Sequence, residues 1–331
     1  MTLTKQTFEL NCMAESERIC SFIKEQILLR FRRKGAVVGL SGGIDSAVTA
    51  SLCVQALGKE KVLGLILPER ESNPSSKELG IACAKKLGIP FEIVEITKQL
   101  EAFNLYDARD RIIKGTFPEF NDSYKFKVSV PQDLLERDRF NFRILTIQSP
   151  NGELKEKRLP INDWFQISAA QNIKQRTRMI NLYYHAEKHN YLVVGTTNRS
   201  ELLLGFYVKY GDGGVDMEPI SHLYKVQVYK LGEYLNVPKE IIERPPSPDT
   251  YSLTVSDQEF FFCIPYSILD ALLYAWENKV PVNQISSEVN LTEEQINRAF
   301  RDFESKKSSS WHLRELPVGI KNILDLSKPL V

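Results

Sequence analysis

Apolar and polar positions along the chain follow two rhythms. Continuous apolar runs lie at 36–40, 62–67, 91–96 and 191–195, and between them apolar residues recur every three to four positions. Short runs bounded by turn formers predict buried strands, whereas the longer spacing marks one face of a helix. Residues 8–31 carry the helical repeat, with Phe8, Cys12, Ile19, Ile23, Ile27 and Leu28 as expected core positions. A helix over about 76–87 is predicted from a capping box of Ser75 with Glu78 and from Gly88 just past its end. A long amphipathic stretch, 166–188, precedes the fourth run. This alternation predicts an α/β fold: a doubly wound, mostly parallel sheet with helices on both faces.

Residues 105–165 interrupt the pattern. Charges of both signs mix with Phe and Tyr there, and no helical repeat is read. Within the stretch, Phe142–Gln148 alternates and runs into Ser149-Pro150-Asn151-Gly152, a hairpin signal. So long a segment is no simple connection; it is expected to be a lid, a partner surface or a small inserted subdomain. The last third returns to helix, at 264–277 and again at 292–303, the latter opened by a Thr292…Gln295 capping box. The chain, 1–331, therefore reads as one domain with an insert at about 105–165 and a helical C-terminal region at about 264–331.

Charge narrows the partners. Lys+Arg total 43 against 42 Asp+Glu, so no basic field favours nucleic acid or a membrane surface. Five cysteines form no Cys-X-X-Cys pair and fall in apolar contexts, which predicts free thiols in a reducing compartment. The polar start and the absence of a spanning apolar run predict a cytoplasmic protein.

The first strand empties into Gly39-Leu40-Ser41-Gly42-Gly43-Ile44-Asp45-Ser46 and then a helix. Backbone N–H groups of such a turn face an anion, glycines let it approach, and Ser41 and Ser46 add hydroxyl donors. Asp45 would repel a bare phosphate and is instead expected to hold Mg²⁺. No Gly-Lys-Ser/Thr follows, so the loop is not a Walker motif. A second cluster, Gly195-Thr196-Thr197-Asn198-Arg199-Ser200-Glu201, leaves the fourth strand, and Gly205–Asp216 follows with a Gly-Asp-Gly-Gly segment expected to hold its backbone against a ligand. Ser221–Lys225 is expected to open a helix whose N-terminus also faces phosphate. His185 and His189 lie four apart without a His-Glu-X-X-His motif, and are read as surface residues with no zinc site.

Taken together, Ser41–Ser46, Asn172–Ile180, Gly195–Glu201, Gly205–Asp216 and Pro219–Lys225 resemble, in order, the ammonia-dependent NAD synthetases, members of the ATP pyrophosphatases with a Ser-Gly-Gly-X-Asp-Ser loop. Weaker likeness continues through Ser247-Pro248-Asp249, Ser256-Asp257 and Trp311–Arg314. The resemblance implies a Rossmann-like adenine nucleotide α-hydrolase fold and ATP as co-substrate. It also implies adenylation of the deamido-NAD carboxylate, followed by transfer of ammonia to give NAD, AMP and pyrophosphate. By the same resemblance Gly39, Ser41, Gly42, Gly43, Asp45, Ser46, Thr196 and Lys225 bind ATP, and Asp45 with Glu201 holds Mg²⁺. Lys209, Asp212 and Asp216 sit near the reacting carboxylate and ammonia, with Asp45 and Lys225 completing the catalytic set. Asn172, Arg176, Lys209, Asp216, His312 and Arg314 contact the acceptor. A homodimer through 166–188 is implied, with nitrogen from free ammonia or a separate glutaminase subunit.

Three departures fall on the acceptor side or near adenine. The usual acidic, Gly-containing lid is replaced by Thr254–Cys263 with Phe260-Phe261-Phe262; the 105–165 insert is longer than in compact members; and Arg70 follows Pro68 instead of preceding it. They leave open a related ligase acting on another carboxylate. A non-catalytic nucleotide-binding protein is the contrasting reading, disfavoured because Asp45, Glu201 and Lys225 are all present.

Overall fold

A computed structural model describes residues 3–4, 6–137 and 142–318. Its strands are β1 (Ala36–Gly39), β2 (Val62–Ile66), β3 (Phe91–Ile93), β4 (Lys125–Ser129), β5 (Arg143–Gln148), β6 (Leu154–Leu159) and β7 (Leu192–Val194). Four of them form a parallel sheet in the order β3-β2-β1-β7. Both faces are covered, which is why β1, β2 and β7 read as continuous apolar runs. On one face Val38, Val62, Ile66 and Val194 pack against the helices Cys12–Lys24, Ile44–Leu57 and Lys225–Tyr234. On the other, Val37, Leu65 and Val193 meet Ala170 and Ala186 of the helix Ile161–His189 and Leu100 of the helix Thr97–Ala102. The order reverses between β1 and β7, opening a crevice at their C-terminal ends.

Several expectations shift in detail. Ile19, Ile23 and Ile27 are buried as expected, but Leu28 is exposed, because the last turn, Glu25–Arg30, widens to a π-helix and rotates it outward. The helix expected from a Ser75 box begins earlier, at Pro74. Asn73 is its N-cap, accepting the Ser75 N–H at 3.0 Å, and Gly88 closes it in the left-handed conformation. The Thr292–Gln295 box forms and opens the helix Glu293–Ser309, longer than expected. Residues 319–331 of the expected C-terminal region lie outside the described residues.

The stretch 105–165 holds regular structure over much of its length. Its first part is a helix, Leu105–Thr116, contrary to the expected absence of one. The inward positions are Leu105, Tyr106, Arg109 and Ile113, so a buried arginine hides the apolar stripe. Arg109 sits inward because Glu71 pairs with it at 2.7 Å. An antiparallel sheet, β4-β5-β6, follows and wraps a core of Phe117, Phe120, Phe126, Leu145 and Ile147. The C-terminal helices build a separate core around Phe262, Leu272, Ile285, Ile296 and Phe303. Cys53, Cys83 and Cys263 are buried, and none of the five cysteines is in a disulfide. Among the described residues no helix is long and apolar enough to cross a membrane.

Candidate functional site

A cavity of about 940 Å³ opens at the β1/β7 crevice. At its phosphate end, Gly43 caps the helix Ile44–Leu57 in extended geometry, leaving the first-turn amides facing the cavity. The loop is held by its own hydroxyls: Ser46 donates to Gly43 O at 2.9 Å, and Gly43 N–H donates to Ser41 Oγ at 3.2 Å. Gly39, Ser41, Gly43, Asp45 and Ser46 line the cavity, as does Thr196. Gly42 does not. It takes φ +75, and a Cβ there would lie 2.5 Å from Ser76 O, so its role is to let the turn close on the neighbouring helix.

Asp45, Glu201 and Lys225 converge as expected. The buried Lys225 ammonium bonds Asp45 Oδ2 and lies 3.9 Å from Glu201 Oε1. Asn198 ties the two carboxylates together: its Nδ2 donates to Asp45 Oδ1 at 3.0 Å and its N–H to Glu201 Oε2 at 3.2 Å. Burial and then the Asp45 charge push the Glu201 carboxyl well above the usual carboxylate range. Burial opposes the charge on Lys225, but Asp45, Glu201 and Asp257 outweigh it and raise the ammonium. Asp257, also raised by burial, to about 6, completes the cluster. Carboxylate oxygens crowded beside a phosphate loop are the hard donor set of a divalent cation such as Mg²⁺, which would relieve the Asp45–Glu201 repulsion.

The helix Lys225–Tyr234 does not offer its N-terminus to phosphate. Lys225 N–H goes to Ser200 Oγ and Val226 N–H to Asp270 Oδ2, while Ser200 itself donates to Asp270 at 2.6 Å. From this helix Lys225 and Tyr229 line the cavity. Of the Gly-Asp-Gly-Gly glycines Gly211 lines the cavity, and all three pack closely on neighbouring side chains. Added Cβ atoms would strike Tyr207 at Gly213, Val208 and Gln175 at Gly211, and Tyr210 and Met179 at Gly214. The glycines fold the loop onto its own side chains.

Asn172, Arg176, Lys209, Asp212 and His312, expected near the acceptor, also line the cavity. Arg176 Nε donates to Lys209 O, and Lys209 Nζ donates to His312 O at 2.8 Å and Glu315 O at 2.6 Å, drawing the C-terminal segment over the site. Two expected residues lie elsewhere. Asp216 accepts Val193 N–H and the Tyr183 hydroxyl, so its carboxylate pins β7 to the long helix outside the cavity lining. Arg314 donates to Leu202 O, Leu203 O and Ser310, finishing the carbonyls of the helix Arg199–Leu204. It is not part of the cavity lining.

The insert and the phenylalanine segment meet here. Leu253 N–H donates to Phe126 O, and Val130 N–H to Glu259 O, so β4 is stitched to residues 253–259. Trp164 lies 6.3 Å from Phe260, and Phe206 stacks on Phe261 at 4.8 Å. Trp164, Phe165, Phe260 and Phe261 line the cavity, whereas Phe262 is buried in the helical core. Arg70 turns away to stack on Tyr106, 3.5 Å from its ring centre. At the strand-2 exit its place is taken by Arg178, whose Nε donates to Leu67 O from the long helix.

Three further groups went unread in the sequence. Lys174, fully buried, binds Glu69 at 2.9 Å, Glu71 at 2.7 Å and Thr250 O at 2.9 Å, joining the strand-2 exit, the long helix and the 250 segment. Arg244 donates to Gly42 O and Ser76 Oγ beside the phosphate loop. Burial raises Glu218 to about 7, while Thr197 holds it through N–H and hydroxyl bonds at 3.0 and 2.8 Å. The i−3 spacing of Asn198 from Glu201 was the one available signal, a capping box that also serves the site.

The NAD synthase family model matches residues 15–118 and 134–317, leaving out only 119–133 of the insert between them. The NH(3)-dependent NAD(+) synthetase of Mesorhizobium japonicum is 42% identical over 309 residues, covering 93% of this chain and 97% of its own. That of Thermotoga maritima is 41% identical, covering 79% of this chain and 86% of its own. The fold matches the NH3-dependent NAD synthetase of Campylobacter jejuni with TM-score 0.62 and 26% identity, over 95% of this chain and 100% of that one. An NMN synthetase of Francisella tularensis shares the fold at TM-score 0.64 and 23% identity, over 94% and 99% of the two chains. With the loop of Ser41–Ser46, the Asp45–Glu201–Lys225 cluster and these matches, the chain belongs to the NAD synthase family.

Proposed function

We propose that this protein is an ATP-dependent amide ligase that converts deamido-NAD to NAD with ammonia, releasing AMP and pyrophosphate. The observation that carries the reading is the convergence of Asp45, Glu201 and Lys225 on a phosphate-binding turn. In the first step a carboxylate oxygen attacks the α-phosphorus, and the bond to the β-phosphate oxygen breaks. Negative charge grows on the departing pyrophosphate, where amides of the Ser41–Ser46 turn, its hydroxyls and Lys225 are already aimed. Mg²⁺ held by Asp45 and Glu201 would neutralise charge on those phosphates.

Ammonia then attacks the acyl carbon, the bond to AMP breaks, and one proton leaves nitrogen. Asp212, at the acceptor end beside Lys209, is the base for that proton. Adenine lies along the strand-2 exit near Thr196 and Arg178. The nicotinate half is gripped by the aromatic wall of Trp164, Phe260 and Phe261, with Asn172 and Arg176 alongside. The exposed Ile180 and Tyr184 on the helix Ile161–His189 support a homodimer through that helix. Free ammonia is the nitrogen donor, and a cytoplasmic location accords with the absence of disulfides among the five cysteines and with ATP as substrate.

Incubation with ATP, Mg²⁺, ammonium and deamido-NAD tests the reading. NAD and AMP are expected in equal amounts. No AMP above background with deamido-NAD, but turnover with another nicotinate carboxylate, would move the protein to the related ligase reading.

A further inference from the structure

The i, i+4 spacing of His185 and His189 predicts a surface pair, but His185 is 5% exposed and has an acidic neighbour, Glu92. Both rings lie in the last two turns of the helix Ile161–His189, one turn apart and so on the same side. Glu92 sits on β3 in register with Leu65, whose side chain belongs to the core beneath that helix. The carboxylate of Glu92 and one nitrogen of each histidine fall within 4.8 Å of one another. His185 Nδ1 is buried without a hydrogen-bond partner and faces Glu92 Oε1 at 3.5 Å.

We propose that Glu92, His185 and His189 form a second cation site, which takes a borderline divalent transition metal such as Zn²⁺. Two imidazoles and one carboxylate suit Zn²⁺ with water in a fourth position, and disfavour the all-oxygen shell of Mg²⁺. Coordination would satisfy the buried His185 Nδ1, which has no hydrogen-bond partner. The helix C-terminus adds a partial negative charge where the cation would lie. Lys188 Nζ, 4.0 Å from the same Glu92 oxygen, is half-exposed and free to swing away. None of the three ligands lines the large cavity, so the site is independent of the ligase chemistry. Its effect is to clasp the three-residue edge strand β3 to the long helix.

The test is a Zn²⁺ titration of the full chain against a chromophoric chelator, with Co²⁺ absorption as a second readout. One equivalent is expected, with tetrahedral Co²⁺ bands. His189→Ala and Glu92→Gln, both at solvent-accessible positions, should each weaken binding by about a hundredfold or more. Zn²⁺ should raise the unfolding temperature of the wild type and not of either variant. AMP formation should be unchanged in both variants. Equal Zn²⁺ affinity in wild type and variants, or no stoichiometric binding by the wild type, would overturn the proposal.

Discussion

At the phosphate end of the cavity most working groups come from two loops, one leaving β1 and one leaving β7, joined by the Lys225 ammonium and Asp257. At the end proposed for the acceptor they come from the insert, the long helix, the 253–262 segment and the C-terminal turn, and the wall is largely aromatic. Phosphate is the same anion in every ATP, so a short contiguous turn can meet it. An acceptor with a ring and a carboxylate needs a shaped surface, and this chain gathers one from segments far apart in sequence. Lys174 lies between the ends, tying Glu69 and Glu71 at the strand-2 exit to Thr250.

Separate damage to the two ends should give separable kinetics. Asp45→Asn keeps the size of the side chain but loses the charge that faces Lys225. It should lower kcat for AMP formation by about 10²–10³-fold, as removal of a transition-state charge partner does. The acceptor KM should change little, and near-wild-type turnover would remove Asp45 from the phosphate machinery. Lys174→Met strikes the junction itself, leaving Glu69 and Glu71 buried beside an apolar chain. Loss of one partner of a buried pair costs about 3–5 kcal/mol, read as a lowered midpoint in urea unfolding. Arg109 still faces Glu71, so the smaller end of that range is expected.

Phe260→Ala opens the aromatic wall. An acceptor KM raised about tenfold, with ATP KM unchanged, follows if its ring stacks on the substrate, since such stacking is worth about 1–3 kcal/mol. A rise in ATP KM instead would mean that the two ends are not separate. The smallest effect concerns Glu218. Its pKa is near 7 in the folded protein and lower when unfolded, so the folded state holds the proton more tightly. The contribution to stability is complete below about pH 4.5 and is lost as pH rises through 7. Glu218→Gln should therefore flatten the fall in stability between pH 5 and 8, by on the order of 1 kcal/mol. An unaltered pH profile would contradict a buried, protonated Glu218.

Legibility followed the same division. β1 with its Ser/Gly turn, β7 with Asn198 and Glu201, and the parallel sheet were all readable, because strand period, turn chemistry and capping are local. The helix Leu105–Thr116 was not, since Arg109 occupies a core position only by virtue of Glu71, a residue from another segment. Asp216 and Arg314 lay at family-like positions, yet their hydrogen bonds are spent on Val193 and Leu202. Spacing alone does not reveal which partner a side chain finds. His185 teaches the same lesson: i, i+4 spacing gave the pair, and β3 supplied Glu92.

Local rules in the chain were thus sufficient for the α/β fold, the phosphate turn and the class of reaction, because amides, glycines and neighbouring carboxylates act over a few residues. The aromatic acceptor wall, the Lys174 junction and the Glu92–His185–His189 cluster arise only when distant segments pack. Burial then sets which charges must pair, and that is a property of the folded whole.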